Sequence, residues 1–182
     1  MPNLFRGCRL LYLSYFSKPA HFRPLYRLIR KRRVRKILEI GVGTLERTVR
    51  MIEVAGGRNG PASYAAIDLF ELRSAAGRPG VPLKLAHRRL SRLAARARLI
   101  PGDPFTALAR TANALGTFDL IVVSADQDPQ SMSKAWFYLP RLIKDGTCVF
   151  VEQCDPTGAL QLLTVSEIER RAADAAPRRR AA

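Results

Sequence analysis

The 182 residues suffice for one domain, which at this length buries about two thirds of the surface its unfolded chain exposes. An apolar content of 47% with 25% charged residues argues against wholesale disorder, and no apolar run approaches the ~18 residues of a membrane span. Three cysteines (Cys8, Cys148, Cys154) with no CxxC pair argue against a disulfide framework and a structural zinc site, but 31 basic against 15 acidic residues give +16, a balance that attracts phosphate polyanions and acidic surfaces.

Only six of the basic residues are lysine, so a coding bias toward arginine is the other source of that charge. The charge is nevertheless clustered. One block is Arg30, Lys31, Arg32, Arg33, Arg35 and Lys36; a second is Arg88, Arg89, Arg92, Arg96 and Arg98; Arg178 to Arg180 form a short tail. The start of the chain has arginines before an apolar stretch, but it lacks a signal-peptide cleavage site. A reducing cytoplasm is expected.

Residues 1–35 read as a leader and one basic amphipathic helix, opened by Pro19 and striped by Phe22, Leu25, Tyr26 and Ile29. Strand and helix patterns then alternate. Ile37–Ile40 is a buried strand, followed by a helix carrying Leu45, Val49 and Ile52 that stops at Gly56-Gly57. Tyr64–Ile67 is a second strand ending at Asp68, and the Gly/Pro segment at 77–80 is a loop. A helix is expected over Leu83–Ala95, a strand at Arg98–Ile100, and a helix over Phe105–Leu115. Phe118–Val123, apolar but for Asp119 and β-branched toward its end, has the character of a central strand. Met132–Ile143 reads as helix and Cys148–Val151 as a fifth strand. Beyond it, Leu160–Val165 can add a strand, and Ser166, with Glu169 at capping-box spacing, can start a last helix. Such alternation with short connections implies right-handed crossovers and a mostly parallel sheet with helices on both faces. Ligands of such sheets bind beyond the carboxyl ends of the strands.

Those ends carry the informative residues. Glu39-Ile40-Gly41-Val42-Gly43 closes the first strand, and two glycines there let the backbone turn tightly and approach a ligand. Glu46 stands where a dinucleotide fingerprint has its third glycine, which disfavours an NAD enzyme, and no GK[ST] follows. Asp68 ends the second strand, where a carboxylate can accept both hydroxyls of a ribose. Asp103 follows the third strand in Pro101-Gly102-Asp103-Pro104, and the fourth ends in Ser124-Ala125-Asp126.

In order and spacing these segments resemble the class I S-adenosylmethionine-dependent methyltransferases, over roughly Lys36–Glu152. The Ala/Arg-rich composition of 177–182 reads as a disordered basic tail, and the resemblance implies a Rossmann-like, doubly wound α/β domain over residues 36–176. It implies S-adenosyl-L-methionine as cofactor, held by Glu39, Gly41 and Gly43 at the amino-acid end, Asp68 at the ribose, Leu69 and Asp103 at the adenine, and Ser124. Asp126 is the candidate catalytic residue, hydrogen-bonding a methyl acceptor that the sequence does not identify. The chain is too short past strand five for the family's seven-stranded sheet. A sheet truncated there is expected, with an edge that a second copy could cover. In the metal-dependent branch acids follow strands four and five; Asp126 and Glu152-Gln153 fall near those places, but Ser124 replaces an aspartate, so no metal is expected. Two other readings stay open. One is a non-catalytic methyltransferase-like binding module. The other is an RNA-binding or RNA-modifying protein that uses the arginine blocks for nucleic acid.

Overall fold

The short apolar runs pair into one sheet, and the segments with three- and four-residue apolar spacing cover its two faces. The computed structural model describes residues 2–57, 60–73, 80–94 and 96–176, with side chains from residue 7 onward. Most of the expected 77–80 loop and the whole 177–182 tail lie outside the described residues. Two helices come first, α1 (Pro2–Tyr15) and α2 (Arg23–Arg32). Then follow β1 (Lys36–Ile40), α3 (Glu46–Ala55), β2 (Ser63–Asp68), α4 (Leu83–Leu90) and β3 (Arg96–Pro101). The second half holds α5 (Pro104–Leu115), β4 (Leu120–Val123), α6 (Pro129–Ala135), β5 (Cys148–Glu152), β6 (Leu160–Leu163) and α7 (Val165–Asp174).

The strand order is β3-β2-β1-β4-β5-β6, parallel except for β6. The order reverses between β1 and β4, which puts the switch point, and with it the natural ligand crevice, beyond Ile40 and Val123. Side chains alternate across each strand. Ile37, Tyr64, Ala66, Leu120, Val122, Cys148 and Phe150 therefore face the core built with α1 to α4. Leu38, Ile40, Ala65, Ile67, Ile121, Val123 and Val149 face the core built with α5 to α7.

Three details depart from the sequence expectations. The stretch ahead of Pro19 is helical, and its Leu13 is buried in the same core as Leu25, Tyr26 and Ile29 of α2. The helix expected over Met132–Ile143 is α6 followed by a 3-10 helix at Trp136–Leu142. Pro140 explains the change, since its ring has no N–H and clashes with the carbonyl four residues back. The last helix is capped two residues earlier than expected: Thr164, not Ser166, accepts from the Glu167 N–H at 3.3 Å, and Glu167 accepts from the Thr164 N–H at 2.7 Å. Past strand five, the stretch expected at Leu160–Val165 does add one strand, giving a six-stranded sheet. β6 adds antiparallel to β5, from Val149 opposite Leu163 to Glu152 opposite Leu160.

Candidate active site

The two-residue period of the strands decides which side chains meet. Counting on from the core residues of the α1–α4 face, Glu39, Asp68, Ser124 and Glu152 all point to that face at the carboxyl ends of β1, β2, β4 and β5. All four are buried. The turn after β1 is tied on both sides, the Gly41 N–H donating to the Ile67 carbonyl of β2 (2.8 Å) and the Ser124 N–H, just after β4, to the Ile40 carbonyl (2.9 Å).

The glycines have distinct jobs. At Gly41 (φ +89°) a Cβ would sit 2.2 Å from Gln127 Nε2 and 2.7 Å from Ser124 Cβ, so this position must be glycine to let the β4 loop close over the turn. At Gly43 (φ +55°) a Cβ would meet nothing within 4 Å, because this residue faces the open cleft. Leu45 next adopts the left-handed conformation (φ 67°) and is wholly buried. A methylene-rich core residue thus occupies a backbone position that favours glycine.

Two arginines, neither of them foreseen from the sequence, tie the carboxylates in pairs. From α3, Arg47 Nε donates to Glu39 Oε1 (2.8 Å), Nη1 to Glu152 Oε2 (2.9 Å) and Nη2 to the Gly41 carbonyl (3.0 Å). Glu39 also accepts from Thr48 Oγ1 and Tyr64 Oη, both at 2.6 Å. Burial and the adjacent Glu39 charge push the Tyr64 phenol well above its ordinary pKa, so it stays a donor. With those partners in place Glu39 has no exposed surface. Ser124 Oγ donates to Glu152 Oε2 at 2.8 Å.

Asp68 accepts the Val42 N–H and the Phe70 N–H, each at 2.7 Å, and so braces the glycine turn. It also accepts from Arg73 Nε (3.0 Å) and Nη2 (2.5 Å), while Arg73 Nη1 donates to Asp126. Burial opposes the charge on Asp126, but Arg73 and Gln127 outweigh it and hold the carboxyl below its ordinary range. Asp126 is therefore an anion that accepts hydrogen bonds and a weak base. Asp103 caps α5, accepting from the Thr106 N–H (3.1 Å) and Ser131 Oγ (2.5 Å). Partial burial opposes its ionisation, yet those donors bring its pKa down to about 2. Leu69 is half-buried just past Asp68.

The cleft itself is about 150 Å³, bounded by Pro19, Phe22, Gly43, Arg47, Ser124 and Asp126 among others. That is below the ~300–1,000 Å³ of ordinary small-molecule pockets. Its charge is distinctive. Four carboxylates, Glu39, Asp68, Asp126 and Glu152, gather around the two guanidiniums of Arg47 and Arg73 in a chain of +16. Among the described residues no group of three His, Cys, Asp or Glu is arranged to hold a metal ion.

No protein-family model and no curated protein sequence matches the chain. Solved structures do. An O-methyltransferase from Bacillus cereus in complex with SAH aligns with a TM-score of 0.56 at 19% identity, over 94% of this chain and 76% of that one. TomG, an O-methyltransferase of tomaymycin synthesis from Streptomyces achromogenes in complex with SAM, aligns at 0.54 and 16%, over 94% and 82%. A Staphylococcus aureus protein provisionally named a caffeoyl-CoA O-methyltransferase aligns at 0.53 and 16% over 82% of this chain, which spans 64% of its length. The architecture is therefore the Rossmann-like fold of the class I S-adenosylmethionine-dependent methyltransferases. No described helix is long and apolar enough to cross a membrane.

Proposed function

We propose that the chain is an S-adenosylmethionine-dependent methyltransferase whose cofactor lies across the β1–β4 switch point. The observation that carries this reading is the gathering of four carboxylates around two guanidiniums at the carboxyl ends of β1, β2, β4 and β5 in a strongly basic chain. Such a site repels phosphate and attracts a cation, and S-adenosylmethionine carries both a sulfonium and an ammonium. The open space at Gly43 gives the backbone room to approach it.

In this reading Gly41 and Gly43 shape the turn, and Ser124 and Glu39, the latter through Arg47, order the amino-acid end. Asp68 takes the ribose hydroxyls once Arg73 withdraws, and that withdrawal enlarges the cleft toward β2. Leu69 lies against the adenine and Asp103 near its amino group. Bound there, the cofactor supplies an electrophilic methyl: the acceptor's lone pair forms the new bond as the carbon–sulfur bond breaks, the electron pair leaves on a neutral thioether, and the acceptor's proton passes to solvent or a base. The chain contributes alignment and exclusion of water. Asp126, freed of Arg73, accepts a hydrogen bond from the acceptor and orients its lone pair.

Thermal unfolding with S-adenosylmethionine, and separately with NAD, tests the proposal. At a hundredfold excess over Kd, binding adds about 2.7 kcal/mol of stability, a rise of roughly 5–10 °C for a chain of this size. The rise is expected with S-adenosylmethionine only, and Asp68→Ala should abolish it. One observation favours a second reading, a methyltransferase-like module without cofactor: Arg47 and Arg73 already pair the four carboxylates. No rise with either ligand selects that reading.

A further inference from the structure

Four adjoining clefts run from α4 to the candidate active site. The first lies on the outer side of α4, and the second, about 500 Å³, lies between α4 and α3; Leu85, Arg88 and Arg92 form the ridge they share. The third, about 360 Å³, lies between α3 and α1 and shares Val49, Glu53 and Arg89 with the second. It meets the active-site cleft at the Arg50–Glu46 ion pair. The path covers about 10 Å along α3, at ~1.5 Å per residue, plus one helix spacing of about 8–10 Å.

Charge along this path is uneven. No acidic residue occurs between Glu71 and Asp103. Lys84, Arg88, Arg89 and Arg92 are exposed, and none makes an ion pair among the described residues. The acids nearer the site are already neutralised, Glu53 by Arg9 and Glu46 by Arg50. Between the two regions Tyr12 stands 56% exposed in the third cleft, a ring on which a planar group can stack.

We infer that the groove from α4 across α3 to Glu46–Arg50 binds single-stranded nucleic acid, with the α4 cations on its phosphates and Tyr12 stacked on a base. A single strand fits because exposed guanidiniums followed along the path by an exposed aromatic ring match a phosphodiester chain with an unstacked base. The contacts read phosphate and base face, so RNA and DNA strands bind alike. Resting on the proposed methyltransferase activity, the inference further makes the methyl acceptor a nucleotide a few residues along from the α4 anchor.

The test is fluorescence anisotropy with a labelled 12-nucleotide oligouridylate between 50 and 200 mM salt. Four phosphate contacts on a single strand give a log–log slope near 3 and weaken binding about 50-fold over that range. Arg88→Gln/Arg89→Gln/Arg92→Gln should lower the slope by about two, leaving roughly a threefold change. Lys31→Gln/Arg32→Gln/Arg33→Gln removes equal charge from the end of α2 and should leave the slope near 3. Equal losses in both triple variants would mean diffuse attraction to a basic protein and would overturn the groove. So would binding to phosphatidylserine vesicles with none to the oligonucleotide. The α4 variant should keep the full thermal shift with S-adenosylmethionine. Oligonucleotide binding that depends on α4 without any cofactor shift sinks the methyltransferase proposal and its acceptor, and leaves the groove standing. A cofactor shift without α4-dependent binding sinks the groove alone.

Discussion

A guanidinium out of water between two carboxylates is held by charge and by geometry together. Arg47, 8% exposed, spends its Nε, Nη1 and Nη2 on Glu39, Glu152 and the Gly41 carbonyl. Removing one member of such a set leaves buried charges unpaired, at a typical cost of 3–5 kcal/mol. Arg47→Met should therefore lower Tm by about 6–20 °C, read by calorimetry, and a change within error would show that solvent reaches these carboxylates. Single residues were also the least legible part of the sequence. Glu39, Asp68 and Asp126 could be chosen because strand ends are where chemistry collects. Their partners Arg47 and Arg73 could not be told from the chain's many other arginines, since burial of an arginine depends on what lies opposite it in space. The partners of Glu39 were hidden for the same reason: Thr48 and Tyr64, far apart in the chain, reach it across the fold, and both donate to its Oε2.

Elements were more legible, because their signals are periodic and local. β1, β2, β4 and β5 could be placed from apolar runs of four to six residues, and strand–helix alternation implied their parallel pairing. Misreadings gathered at the ends, where two local signals compete. Thr164 and Ser166 are each followed three residues later by glutamate, and the sequence alone does not rank them. The structure selects Thr164, whose backbone is already extended (ψ 161°) as it leaves β6. Thr164→Ala should cost about 1 kcal/mol, measured by urea denaturation, and Ser166→Ala should cost far less. Equal costs would return the cap to Ser166. The α1 helix was missed because its apolar residues do not mark one face clearly: Leu13 is buried while Leu11, Tyr12, Tyr15 and Phe16 are exposed.

At the scale of the molecule, composition suggested a basic protein, and the fold shows how that charge is distributed. Acids concentrate at the switch point, and the α4 cations make no ion pair among the described residues, so a single net charge describes neither region. Fold class followed from order and spacing along the chain. The acceptor did not, because no contiguous motif marks one; the clefts along α1, α3 and α4 draw their residues from Arg9 to Arg92. The Arg73 bridge gives the whole site a further property. One guanidinium caps both Asp68 and Asp126, straddling β1. If Asp68 serves the cofactor and Asp126 the acceptor, as proposed, the two half-sites do not fill independently: a ligand that displaces the guanidinium from Asp68 also uncovers Asp126. Under the proposed activity this makes turnover sequential, with the methyl donor entering first and the acceptor meeting its carboxylate only afterwards, which keeps the acceptor from occupying an uncharged enzyme. Arg73→Ala removes the interlock, so it should enlarge the thermal shift at a fixed subsaturating concentration of S-adenosylmethionine; a smaller shift would mean that the arginine belongs to the bound state and guides the donor into place.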